Sequence, residues 1–311
     1  MKVLKSKKQK AKPASQREIK NLVSKYLKPT TDITFKKLFG TQERANLTKD
    51  FLNAVLEKKI GERIKTVTIT DPANLPETID KKKSFVDVNC VDQNDKKYII
   101  EMQVINEYDF VERVQYYVSL AISRQLKIGD TYKQLIPVIF VGVLGFDLDK
   151  DEIEAISHHA ITNLKTGRRL LRHLQFHFIE LEKFKKTPSQ IITAVDQWAY
   201  FMKNASTLET IPAQLRSKDF TEAFHVLESA QWSDKELDAY RIQEYEIGAT
   251  HRQQQGAREE GRQEGRQEGR EEGEIKAKLE LAKKMLRRGT SVEIVAEDTG
   301  LSPEEIKRLK S

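Results

Sequence analysis

Two short apolar segments, each with one acid in mid-run, constrain this chain most. The first is Phe85-Val86-Asp87-Val88-Asn89-Cys90-Val91 and the second is Tyr98-Ile99-Ile100-Glu101-Met102-Gln103-Val104. The polar connector Asp92-Gln93-Asn94-Asp95-Lys96 is turn-forming, so the pattern predicts a β-hairpin. With the loop symmetric about Asn94, Asp87 faces Glu101 directly. Opposed Cβ atoms lie roughly 4.5–5.5 Å apart. Two carboxylates at that separation repel unless a proton or a cation sits between them. Gln103, two residues on, shares the face of Glu101. Two carboxylates and an amide in one place are hard oxygen ligands of the kind magnesium takes. The plainer reading is a solvated strand face, and a register slip of one residue would send Asp87 and Glu101 to opposite faces.

Composition narrows the class. The 311 residues suffice for about two domains, and 38% hydrophobic with 32% charged residues indicates a soluble, polar chain. The longest apolar run, Leu135 to Phe146, is broken by Pro137 and Gly142 and is too short to span a bilayer. No apolar stretch follows the Lys-rich start as a signal peptide would require, and the single Cys90 excludes an internal disulfide. A cytoplasmic location is expected. Of the net charge of +7, residues 1–30 contribute +9, with ten Lys or Arg against one Glu, so the rest sums to −2. The basic character belongs to a tail, which is read either as solvated or as an aid to holding nucleic acid.

After the tail and a short helix around Glu18–Leu27, residues 31–40 form a helical turn ended by Gly40, with Asp32 at its start as a cap or dipole partner. Leu47–Leu56 is predicted as a helix and Ile64–Ile69 as a strand, with a loop over residues 72–83. Glu107–Lys127 reads as a long helix with Phe110, Val114, Tyr117, Val118 and Ala121 as its apolar stripe, widened by Val111 and Ile122. Leu135–Leu144 reads as a buried strand. The order from residue 31 to 145 is therefore helix, three strands, helix, strand.

That order resembles the restriction-endonuclease-like core of the PD-(D/E)XK nucleases, an α/β fold with an αβββαβ core, here with a helical C-terminal extension. More narrowly, several stretches resemble the Rpn family of recombination-promoting nucleases and transposases. These are Asp32-Ile33-Thr34-Phe35-Lys36-Lys37-Leu38-Phe39-Gly40, Phe51-Leu52-Asn53-Ala54-Val55-Leu56, Val86-Asp87-Val88 and Ile100-Glu101-Met102-Gln103-Val104. Arg113 with Tyr116-Tyr117, then Gly129-Asp130-Thr131-Tyr132 and Pro137-Val138-Ile139, follow at the family's spacing. The resemblance implies a metal-dependent DNA endonuclease linked to recombination or mobile elements. It makes Asp87, Glu101, Gln103 and Asp32 the catalytic candidates. Asp87, Glu101 and Asp32 are its ligands for Mg2+, or for another divalent ion such as manganese or calcium. Arg113, Tyr117 and Lys37 are its candidate phosphate contacts. Val86 stands where the superfamily has proline, and Gln103 where it has lysine. An amide cannot supply positive charge to a transition state, so weak activity, or a DNA-binding or assembly role on the same fold, is the alternative.

Toward the C-terminus, Gln175–Leu181 resembles the family's later strand and Asp196–Phe201 its following helix. His158-His159 and His173/His177 lack a supporting carboxylate at helical spacing and are read as ordinary strand or surface histidines. Gly261-Arg262-Gln263-Glu264 repeats with a period of four to Gly273, giving a drifting glycine stripe on a helix. It reads as a flexible helical linker that self-associates into a homo-oligomer, or as a solvated one; its charges exclude a membrane dimer. Ile275–Arg288, a short helix capped by Thr290 and Glu293, and a final one opened by Ser302, Pro303 and Glu305 make a small helix-turn-helix-like module. Its role is DNA reading or assembly. The expected divisions are tail 1–30, nuclease-like domain 31–205, helical extension 206–250, repeat linker 251–274 and C-terminal module 275–311.

Overall fold

The hairpin forms with the register that symmetry about Asn94 demands. The computed structural model describes residues 24–70 and 87–309. Strand β2 (Val88–Asp92) runs antiparallel to β3 (Lys97–Gln103), pairing Val88 with Ile100 and Val91 with Lys97. Asp92 builds the turn. Its Oδ1 accepts from the amides of Asn94 and Lys96 at 2.8 and 3.1 Å, and its Oδ2 accepts from the Tyr98 hydroxyl at 2.9 Å. The basic tail to residue 23, most of the helix expected at 18–27, the 72–83 loop and Phe85-Val86 lie outside the described residues. Residues 24–27 are not helical, and Tyr26 bridges to Glu228.

Six strands form one mixed sheet in the order β1-β2-β3-β4-β6-β5. Besides the hairpin these are β1 (Val67–Thr70), β4 (Val138–Leu144), β5 (Ile156–Ala160) and β6 (Leu174–Glu180). The chain is thus α/β, with β3, β4 and β6 parallel at the centre. β1 is shorter than alternation predicts because side chains replace the ladder upstream of it. The Asn53 carboxamide accepts from the Ile64 amide at 2.8 Å, and Gln93 accepts from the Lys65 amide at 3.0 Å. β5 went unpredicted, since Ser157, His158 and His159 leave it no apolar alternation.

Alternation splits the sheet into two apolar faces. Val88, Cys90, Tyr98, Ile100 and Val141 pack against α1 (Asp32–Phe39), α2 (Ala45–Val55), α4 (Ala194–Asn204) and α5 (Lys218–Leu227). Ile99, Phe140 and Phe178 pack against α3 (Phe110–Ser123) through Phe110, Val114 and Val118. Helix α3 is shorter than expected, and Val111 faces solvent instead of widening the stripe. Within the segment 206–250, Leu215, Phe220, Phe224 and Leu227 enter the first core, while Trp232 and Tyr240 enclose Leu27.

By contacts the chain falls into two units, residues 1–249 and 250–311. Helix α6 (Asp234–Arg287) begins within the first, and its part in the second carries the glycine repeat, where a Cβ added at Gly261, Gly265, Gly269 or Gly273 would meet nothing within 4 Å. Ala282, Val295 and Ile306 form the small core shared by the end of α6, α7 (Val292–Thr299) and α8 (Pro303–Arg308). Ser291, not Thr290, caps α7, whereas Ser302, Pro303 and Glu305 open α8 as expected.

Gly142 sits between Glu101 and Phe178 in the sheet. A Cβ there would lie 2.9 Å from Phe178 Cδ1 and 3.0 Å from Phe140 Cε1. Gly142→Ala is therefore expected to destabilise the fold by about 1–3 kcal/mol through overpacking. Urea unfolding checks this: the midpoint should fall while the slope stays constant.

Candidate active site

The β2–β3 ladder ends at Val88–Ile100, and Asp87 occupies a bend just before it. Its carboxylate takes over where backbone pairing stops: Oδ2 accepts from the Met102 amide at 2.8 Å. This position lets Asp87 reach α1, which packs on one face of the sheet. Glu101, by alternation with Ile99, points toward α3 on the other. Asp32, Lys36, Asp87, Glu101, Met102, Gln103, Arg113 and Tyr117 line one cleft of about 340 Å³.

Helix α1 delivers Asp32 and Lys36 to the cleft. Its N-cap is Thr31, whose hydroxyl accepts from the Thr34 amide, so Asp32 is not consumed in capping. Lys36, one turn further on, bonds Asp32 Oδ1 at 2.7 Å and lies 3.7 Å from Asp87 Oδ1. Helix α3 delivers Arg113. One guanidinium nitrogen, Nη2, donates to Gln103 Oε1 at 2.7 Å and to Glu101 Oε1 at 3.3 Å; the other, Nη1, pairs with Glu107. Glu101 Oε2 is buried without a hydrogen-bond partner among the described residues.

These carboxyls are not ordinary. Burial, and then a hydrogen bond shared with Asp32, push Asp87 up to about 8, against the opposing Met102 amide. Burial pushes Glu101 up to about 7, with Arg113 opposing and Glu107 reinforcing. Asp32 is lowered: burial acts against this, but hydrogen bonds from Asp87 and Lys36 prevail. Two neighbouring acids displaced in opposite directions share a proton, the arrangement expected of carboxylates too close to ionise together.

Several expectations need correction. Lys37 is not at the cleft. It bonds Glu236 at 2.7 Å and lies over the Trp232 ring at 3.9 Å, five residues from Asp32 and so turned away from it. Lys36, four residues from Asp32, was the signal overlooked. Gln103 is engaged at both ends of its amide, with Oε1 accepting from Arg113 and one Nε2 hydrogen going to the Ile105 carbonyl at 2.9 Å, so only its second N–H is left for water or phosphate. Asp32, Asp87 and Glu101 do not form a single ligand cluster. Among the described residues no three His, Cys, Asp or Glu side chains do so. Lys36 draws Asp32 one way and Arg113 draws Glu101 the other. The donors of Asp87 and Glu101 nevertheless suit a hard divalent cation: both are carboxylates, their charge is poorly solvated, and one buried oxygen is orphaned. Tyr117 lines the cleft, and burial raises its hydroxyl pKa.

A family model described as PD-(D/E)XK nuclease family transposase matches residues 29–247. A second, for the C-terminal HTH domain of the Rpn/YhgA-like nuclease family, matches residues 276–311. No curated protein and no solved structure matches the chain.

The folded chain holds the Asp87 and Glu101 protons more tightly than the unfolded chain does. Their contribution to stability is therefore full below about pH 4 and is lost as pH rises through 7 to 8. The melting temperature of the protein relative to Asp87→Asn should accordingly fall between about pH 5.5 and pH 8.5. Added magnesium should restore more of it at the higher pH. Parallel melting curves for the two proteins across that range would contradict this assignment.

Proposed function

Because the chain belongs to the PD-(D/E)XK nuclease family of transposases, we propose that it is a divalent-metal-dependent endonuclease that hydrolyses DNA phosphodiester bonds, in the setting of recombination or mobile elements. The observation that carries this reading is the pair of half-buried Asp87 and buried Glu101, both raised in pKa and lining one cleft. These two residues would hold the cation, with magnesium first and manganese or calcium as substitutes, and when bound it would polarise the scissile phosphate and lower the pKa of a water.

The chain's own residues do the rest. The Met102 amide holds Asp87 in place. Gln103 anchors Arg113, so Arg113 is a fixed positive charge at the cleft wall and not a mobile surface arginine. Lys36 supplies from α1 the ammonium charge that strand position 103 lacks, and Asp32 keeps Lys36 turned inward. Tyr117 borders the same space and is available to phosphate. The C-terminal module gives a second hold on DNA: α8 offers Lys307 and Arg308, although Glu304 and Glu305 occupy its first turn. Self-association along the glycine repeat of α6 would pair two such chains. Among the described residues no helix is long and apolar enough to cross a membrane; a cytoplasmic location belongs to this functional reading.

The commitment of both ends of the Gln103 amide favours a second reading, a DNA-binding or assembly factor on the same fold. Nicking of supercoiled plasmid with magnesium separates the two. Asp87→Asn and Glu101→Gln are expected to lower nicking by about 10²-fold or more while gel-shift binding persists. Variants that cut as well as the parent protein would trace the activity to a contaminant, and binding by the parent without cutting selects the second reading. On the same assay Lys36→Ala should lose at least about tenfold and Lys37→Ala should cut normally, since only Lys36 borders the cleft.

A further inference from the structure

On the reading of the chain as a DNA-acting protein, we propose that the end of the sheet opposite the cleft is a second contact surface for duplex DNA, centred on the connector between β5 and β6. Strands β3, β4 and β6 run parallel, so all three start at one end of the sheet and finish at the other. Glu101 stands in the row Glu101–Gly142–Phe178, and the first row is Lys97–Val138–Leu174. Four residues at about 3.3 Å each set the two rows about 13 Å apart. At the first row the connectors are tied together. The Val138 amide donates to the His173 carbonyl at 2.8 Å, and the Lys97 amide to the Pro137 carbonyl at 3.1 Å. Residues 124–137, before β4, and 161–173, before β6, therefore meet there, with the β2–β3 turn beside them.

The two ends carry opposite charge. The connectors that leave β3 and β4 at the cleft end, residues 104–109 and 145–155, hold seven acids against Lys150. The segment after β6 has three Lys against Glu182, but Lys183 and Lys186 are paired with Glu180 and Asp196. At the opposite end, residues 161–173 hold Lys165, Arg168, Arg169 and Arg172 and no acid. Residues 124–137 add three cations against Asp130, whose carboxylate accepts from the Lys127 amide at 2.7 Å. The β2–β3 turn is balanced, with Lys96 and Lys97 against buried Asp92 and exposed Asp95.

The connector 161–173 is a built turn. The Asn163 carboxamide accepts from the amides of Lys165 and Thr166 at 2.9 and 3.0 Å. The Gly167 amide returns to the Asn163 carbonyl at 2.8 Å, with Gly167 at φ +66°. Lys165, Arg168 and Arg172 are thereby held exposed, and among the described residues no carboxylate pairs with them. Fixed like charges with no counter-charge of their own raise the local concentration of anions. Cations spread over two connectors match a row of phosphates better than a single one, and each phosphate contact releases counterions. Leu164 at the tip is fully exposed, as a side chain that presses on sugars or wedges at a base step would be. A membrane surface is the rival occupant, since Leu170 and Leu171 are exposed as well. The cations interleaved with these leucines, and the match to DNA-acting nucleases along most of the chain, favour DNA.

The test measures binding of the full-length protein to a duplex in EDTA as a function of salt, so no cleavage enters. The triple variant Lys165→Gln, Arg168→Gln, Arg172→Gln is expected to bind about tenfold or more weakly at low salt. The slope of log K against log salt should shrink by about two to three, one contact per residue removed. Its melting temperature should match the parent's, since all three side chains are exposed. An unchanged slope would place all DNA contacts elsewhere and overturn the proposal. So would retention on phosphatidylserine vesicles, lost in the triple variant while DNA binding persists, which assigns the surface to membrane. Failure of the parent to nick plasmid, with the slope reduced as expected, would sink the nuclease reading and support this one.

Discussion

A single hydrogen bond from the Met102 amide to the Asp87 carboxylate decides how the end of this sheet is built. It occupies a ladder position with a side chain and so stops the β2–β3 pairing one residue before Asp87 would have met Glu101 across the strands. An amide donor that would otherwise be left unpaired at a strand end is satisfied, and a carboxylate is held in a half-buried place where its charge is poorly solvated. The consequences radiate outward. Asp87 is presented at once to α1 on one face and to the strand bearing Glu101, and the cleft opens where helices from both faces of the sheet meet.

Charge balance in that cleft is maintained by two cations from different helices. Lys36 from α1 works on Asp32 and Asp87; Arg113 from α3 works on Glu101, Gln103 and Glu107. Neither neutralises the site completely, as the raised carboxyls and the orphaned Glu101 oxygen attest. A fully compensated pair of salt bridges would be a structural feature. An under-compensated one keeps affinity in reserve for further positive charge.

Much of this is legible in the sequence, for a physical reason. Hairpin register follows from the turn and the apolar pattern together, so the symmetric loop about Asn94 placed Val88 against Ile100 correctly. Strong periodicity likewise located α2, α3 and β4. What escaped was information carried by side chains reaching across elements. Nothing in the local pattern around Gln103 announces that both ends of its amide are engaged. Lys36 and Lys37 are chemically identical neighbours, and only the turn of the helix from Asp32 separates a cleft residue from one paired with Glu236. β5 escaped because an edge strand with two histidines has little apolar burial to advertise it.

The glycine repeat of α6 has a geometric corollary. Four residues advance a helix by about 400°, so each repeat turns the glycine about 40° past the one before, and Gly261 and Gly273 point about 120° apart. A straight neighbour laid alongside could meet the bare backbone at only one or two of these notches. Any rod that seated itself in all of them would have to coil around α6, and the handedness of that coil is set by the arithmetic of four against 3.6.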